Sequence, residues 1–102
     1  MPDQQKTNEI VIPHDLVPLY KLMNQLNGNP ESILEAMREI FPHIQTRDLV
    51  GKTRKYSITR PRHIAFFALR ALGQTLQLIG DKFGQRNHAT VLYGVTRIEN
   101  EI

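Results

Sequence analysis

Lys82-Phe83-Gly84-Gln85-Arg86-Asn87-His88-Ala89-Thr90-Val91 is the stretch on which the reading of this chain turns. Gly84 can take the left-handed conformation that closes a helix. Three residues on, Asn87 is a good N-cap, because its side-chain oxygen accepts from a backbone N–H that the helix itself leaves unpaired. Together they spell a tight turn between two helices, the second starting at His88. His88, Ala89 and Thr90, just inside the cap, are short or polar, and a helix starting this way presents them end-on to a DNA groove.

Upstream, no acidic residue occurs between Leu49 and Gly80, while Lys52, Arg54, Lys55, Arg60, Arg62 and Arg70 are all basic. The run from Lys52 to Arg62 has no sustained apolar period. It ends at Arg60-Pro61, and proline suits the first turn of a helix. The pattern predicts a basic loop leading into a helix that begins at Pro61. A basic loop beside a helix-turn-helix is a coherent footprint for duplex DNA, although a cationic run by itself is as often a solvated face.

From about Ile33 to Ile98 the chain resembles the C-terminal DNA-binding domain family of the bacterial replication initiator DnaA. The residues that carry the resemblance are the basic loop, Arg60-Pro61-Arg62, Ile79-Gly80-Asp81-Lys82-Phe83-Gly84 and Arg86-Asn87-His88-Ala89-Thr90-Val91-Leu92. The resemblance implies an all-α, Trp-repressor-like domain with a helix-turn-helix behind a basic loop. It also implies the site residues. Asn87, His88, Ala89 and Thr90 correspond to positions that contact bases and backbone. Arg54 corresponds to a minor-groove arginine, Arg62 and Arg70 to basic positions flanking the duplex, and Leu76 and Gln77 to phosphate-contacting positions. Lys52, Lys55, Arg60 and Arg86 complete the expected DNA-binding set.

This chain departs from the family pattern at three of these positions. Asn87 stands where the family usually has Asp, Ala89 where it has Thr, and Gln77 where it commonly has Pro. Asp accepts from cytosine N4, whereas Asn suits adenine N6/N7. The scaffold is retained and the base preference is open. Blander readings stand beside these: Asn87 as a cap only, His88 as a surface imidazole, Arg70 as the exposed side of a central helix.

The chain has 102 residues, enough for one small domain with an extension. Its net charge of +3 is unevenly placed: residues 1–51 are net negative and residues 52–102 strongly positive. There are no cysteines, hence no disulfide or thiolate metal site, which suits a reducing cytoplasm. No apolar run approaches the roughly 20 residues of a membrane span, and residues 1–12 lack the hydrophobic centre of a signal peptide. The expected setting is cytoplasmic and nucleoid-associated.

Residues 1–13 read as a polar extension and 14–29 as an accessory helix capped by Asp15, with Leu16, Leu19, Tyr20, Met23 and Leu26 at helical spacing and Gly28 at its end. The domain proper is expected over 30–102. Asn29-Pro30 starts its first helix, with Ile33, Leu34, Met37, Ile40 and Phe41 as the apolar face. Thr46 caps a short helical turn. Pro61 to about Leu72 is apolar on most sides and reads as central and buried. Thr75 caps a helix to Phe83, and the last helix, His88 to about Asn100, turns Val91, Gly94, Val95 and Ile98 inward.

Gly51-Lys52-Thr53 resembles the tail of a phosphate-binding loop, but Thr46 stands where that pattern needs its first glycine. His14, His43, His63 and His88 have no metal-ligand spacing. No activated nucleophile or acid/base pair is visible. The expectation is a DNA-binding protein without catalysis, metal or cofactor, acting in replication control or transcription, with the initiator or another protein as a further partner through the N-terminal helix. Two rivals stay open: an interaction module that does not bind DNA, and the DNA-reading fragment of a larger initiator or transposase. Met1 and the short tail after Ile98 favour a complete small protein.

Overall fold

Six α-helices and one short 3-10 turn follow one another through residues 16–102, the part that the computed structural model describes. The expected extension 1–13 and the Asp15 cap lie outside the described residues. The helices are α1 (Val17–Leu26), α2 (Ile33–Ile40), α3 (Thr46–Val50), α4 (Tyr56–Ala71), α5 (Leu76–Lys82) and α6 (His88–Glu99), with Pro30–Ser32 forming the 3-10 turn before α2. No strand occurs among the described residues. The fold is all-α, as the periodicity predicts.

Start and stop signals act as their chemistry requires. α1 ends on two left-handed residues, Asn27 and Gly28. The Asn29 side chain accepts from Glu31 N–H, so the proline-led turn is capped. α3 is capped by Gln45 and not by Thr46: Gln45 and Asp48 form a reciprocal capping box, and Thr46 is already helical. Thr75 caps α5 by accepting from Leu78 N–H at 3.1 Å.

The largest departure from expectation is α4. It starts at Tyr56, five residues before Pro61, so that half of the expected basic loop is helical. Pro61 therefore sits inside the helix, where its missing N–H costs one backbone bond. The compensation is burial. The extra turn carries Ile58 into the core, and Pro61 is itself buried beside Arg62, Ile64 and Ala65. A hydrophobic contact that lies one turn N-terminal to the proline outweighs the helix-start signal.

The buried side chains form one core. α4 lies at its centre and packs most extensively on α6, with α1, α2, α3 and α5 around it. Phe66 of α4 and Phe83, the residue closing α5, meet edge to face at 5.2 Å. Val91, Gly94, Val95 and Ile98 are the buried face of α6, as expected. On α1 the inward residues are Leu16, Leu19, Leu22 and Leu26, while Tyr20 faces solvent and Met23 is half-buried. Ala36 joins Ile33, Met37 and Phe41 on the inner side of α2, and Leu34 and Ile40 pack at its margin. The leucines of α1 thus belong to the same core as the residues from 30 onward.

Candidate nucleic-acid interface

The turn between α5 and α6 is built by close backbone approach. Gly84 has φ +84° and Gln85 φ +59°, two successive left-handed residues that reverse the chain. Arg86 N–H then returns to the Gly80 carbonyl at 3.0 Å. Gly80 and Gly84 are glycines for a packing reason too: a Cβ on the first would collide with the Arg86 carbonyl, and one on the second with the Val50 carbonyl at the end of α3. The turn is pinned to both neighbouring helices, and this fixes the direction in which α6 leaves.

α6 begins at Asn87, whose Oδ1 accepts from Thr90 N–H at 2.8 Å. The capping expected of Asn87 is therefore present. His88, Ala89 and Thr90 project into solvent. His88 Nε2 lies 2.9 Å from Gln77 Oε1, and Gln77 Nε2 donates to Asp81 Oδ1 at 3.0 Å. A hydrogen-bonded chain thus runs from the first residue of α6 to the solvent side of α5. Gln77, Asp81, Gln85, Asn87, His88 and Ala89 line an open groove there, with Arg86 at its edge. Leu76 instead packs half-buried against the core.

Arg62 and Arg86 hold the basic loop in place. Arg62 is 5% exposed, although the sequence suggests a surface cation. It donates from Nε to the Leu49 carbonyl at 3.0 Å, from Nη1 to Thr53 O at 3.3 Å and from Nη2 to Asp48 O at 2.8 Å. Arg86 Nη2 donates to Leu49 O and to Gly51 O. Two guanidiniums thus converge on carbonyls at the C-terminal end of α3, where helix dipole and unpaired acceptors favour cations. The Gly51-Lys52-Thr53 segment is accordingly a loop braced by arginine. Burial, and then the charge of Arg86, push the Arg62 pKa down to about 10, so it remains cationic at neutral pH. Burial also lowers that of Arg86.

Between this loop, the start of α4 and the outer face of α6 lies a cleft of about 660 Å³. Lys52, Thr53 and Arg54 line it from the loop, Thr59, Arg60, Arg62 and His63 from α4, and Thr90, Tyr93 and Arg97 from α6. Tyr56 and Arg86 complete the wall, and among the described residues no carboxylate lines it. Arg60 is paired with Glu101, just beyond α6, through both terminal guanidinium nitrogens, Nη1 and Nη2. That pairing holds the Glu101 carboxyl below the usual range. Arg97 stacks on Tyr93 at 5.8 Å. His63 meets Tyr93 edge to face at 5.8 Å. Burial, reinforced by Arg97, Arg62, Arg60 and Arg86 in that order, pushes the His63 pKa down to about 4.

Of the residues singled out from sequence, Lys52, Arg54, Arg60, Arg62, Arg86 and Thr90 meet at the cleft, and Gln77, Asn87, His88 and Ala89 at the adjoining groove. Lys55 is the exposed N-cap position of α4 and lines neither. Arg70 lies at the far end of α4, donates to Gln74 O at 2.9 Å and lines neither. Tyr56, Thr59, His63, Tyr93 and Arg97 are cleft residues that the sequence reading did not single out. A signal existed for two: Tyr93 and Arg97 follow Thr90 at i+3 and i+7, on a single helix face. Among the described residues no cluster of His, Asp or Glu is arranged to hold a metal ion, and no helix is long and apolar enough to cross a membrane.

Comparison with known proteins places residues 30–98 in a family described as the bacterial dnaA protein helix-turn-helix. Similar curated proteins are chromosomal replication initiator proteins DnaA. That of Thermomicrobium roseum is 40% identical over 74 residues, covering 72% of this chain and 16% of its own. That of Treponema pallidum (strain Nichols) is 41% identical over 94 residues, covering 86% of this chain and 20% of its own. That of Limosilactobacillus reuteri (strain DSM 20016) is 34% identical over 85 residues, covering 80% and 19%. The chain spans about a fifth or less of the length of these relatives. An alignment over 86% of this chain necessarily includes α1. No solved structure matches.

Proposed function

The chain belongs to the bacterial DnaA helix-turn-helix family, and from that membership and the geometry of the cleft we propose that it binds double-stranded DNA with sequence preference and without catalysis. One observation carries the proposal: the capped, exposed start of α6 and the carboxylate-free cationic cleft share one face of the molecule. Those are the two things that groove reading requires, a few side chains aimed at base edges and a set of cations that fix register on phosphate.

In this reading the Asn87–Thr90 end of α6 enters the major groove. Arg54, exposed on the braced loop, reaches the adjacent minor groove, whose narrow A·T-rich form attracts arginine. Lys52 and Arg97 take phosphates, Arg60 stays engaged with Glu101 beside them, and Tyr56 and Tyr93 flank the backbone. Arg62 and Arg86 act mainly from behind, since their guanidiniums are largely committed to loop carbonyls. The biological setting is control of replication or competition for initiator sites, in keeping with the relatives' printed names. The interaction-module alternative draws less support, because the apolar side of α1 is spent on the core.

Selection of bound duplexes from a random pool, followed by a salt titration, tests the proposal. The expected result is a defined motif and a log–log salt slope near −0.9 per contact for about 4–6 phosphate contacts. Failure to retain duplex DNA at low salt would refute it and favour the interaction module.

A further inference from the structure

His63 sits in the cleft wall and is held there by shape. It packs on Phe66 and Tyr93. Opposite it α6 has Gly94, where an added Cβ would come within 2.6 Å of His63 Cδ2 and 2.8 Å of Phe66 Cδ2. The glycine leaves room for an imidazole between α4 and α6, with the ring on the cleft side. Four cations act on it: Arg60 and Arg62 on its own helix, Arg97 on α6 and Arg86 on the turn. Lys52 and Arg54 line the same cleft from the loop. The carboxylate of Glu101 is engaged with Arg60.

We infer that His63 is a proton-linked phosphate ligand: neutral in the free protein, it takes up a proton from solvent when a DNA phosphodiester seats in the cleft, so that duplex binding tightens as the pH falls. This rests on the DNA-binding reading above. The reason is electrostatic. In the free protein partial burial, and then the surrounding guanidiniums, oppose a further positive charge and hold the ring's pKa down to about 4. A phosphodiester brings one negative charge into that field. It offsets the guanidiniums and offers the imidazolium an acceptor, so the proton affinity of the ring rises on binding. By linkage, whatever raises the proton affinity of the complex raises the DNA affinity at low pH by the same factor.

The test is a binding titration by fluorescence anisotropy on a duplex of the selected sequence, from pH 8 to pH 5 at fixed ionic strength, for the wild type, His63→Gln and His43→Gln, the last an exposed histidine that lines neither cleft nor groove. The wild type is expected to gain about tenfold more affinity over that range than His63→Gln, and His43→Gln to match the wild type. Imidazole NMR titration of the wild type, free and duplex-bound, gives a second readout that does not depend on a variant folding. The His63 midpoint is expected to rise by about two pH units in the complex, the shift that a tenfold gain at pH 5 requires. Equal pH dependence in the wild type and His63→Gln, or an unmoved midpoint, overturns the inference while leaving DNA binding intact. Failure of the wild type to bind the duplex at any pH overturns both.

Discussion

Asn87 illustrates at the scale of one residue how a cap and a base reader compete for the same atoms. Its Oδ1 accepts from Thr90 N–H, so the donor Nδ2 is the part of the amide left for the groove. Asn87→Asp keeps the cap and removes that donor, whereas Asn87→Ala removes the cap. The Ala variant should lose about 1 kcal/mol of stability and the Asp variant almost none in urea unfolding. Asp with Ala89→Thr should shift selection by about 1–3 kcal/mol at the facing base pair, from an adenine-type to a cytosine-type contact. An unchanged motif would reduce Asn87 to a cap. Arg62 was legible as a cation but not as a buried one, because its partners are carbonyls of α3 and the loop, which no side-chain pattern announces. Replacing it with Met should cost about 2–4 kcal/mol, since several acceptors lose a charged donor at once. Lys should recover little, lacking the planar fork. His63 sets a pH dependence of stability. Its pKa is about 4 folded against an ordinary 6.5, so the unfolded chain binds the proton first. Stability is full above pH 6.5 and falls as the pH drops from there toward 4. Urea unfolding should show a loss of about 1–3 kcal/mol across that window, and His63→Gln should flatten it.

Helix boundaries show which local signals survive packing. The caps at Asn29, Thr75 and Asn87 were legible because each is a side chain bonding within three residues of itself. The start of α4 was not. A proline at position 61 signals a first turn, but Ile58 gains more by entering the core on an earlier turn than the chain loses through one missing backbone bond. The same extension brings Tyr56 and Thr59 to the cleft, which is why a loop reading overlooked them. Between elements, the contact of α4 with α6 depends on Gly94. Gly94→Ala places a methyl against two rings wedged between the helices. Thermal unfolding should report a loss of about 1–3 kcal/mol. Because His63 must move to admit the methyl, DNA affinity should fall in the same variant by more than the stability loss explains, measured at a temperature where it is fully folded.

For the whole molecule, the division of charge along the sequence becomes a division between faces. Glu35, Arg38 and Glu39 lie together on the α2 side, whereas the cleft carries Lys52, Arg54, Arg60, Arg62, Arg86 and Arg97 with, among the described residues, no carboxylate in its lining. Not every cation is available to phosphate. Lys82 is 3.2 Å from Glu31, Arg60 is engaged with Glu101, and Arg62 and Arg86 face loop carbonyls. Arg54 and Arg97 are the exposed guanidiniums of the cleft, and the salt dependence of binding should concentrate in them. Each phosphate contact removed lowers the log–log slope by about 0.9. Arg97→Ala should therefore reduce the slope by about 0.9 and weaken binding about equally on all sequences. Arg54→Ala should cost affinity too, but chiefly on duplexes with A·T-rich flanks, since its contact reads groove width. Lys21→Ala on α1, an exposed cation outside the cleft, should leave both quantities unchanged. Titrating the three variants against one duplex at several salt concentrations, and against a second with G·C flanks, separates the roles. If Lys21→Ala alters the slope as much as Arg97→Ala, phosphate binding is spread over the surface and the cleft is not its seat.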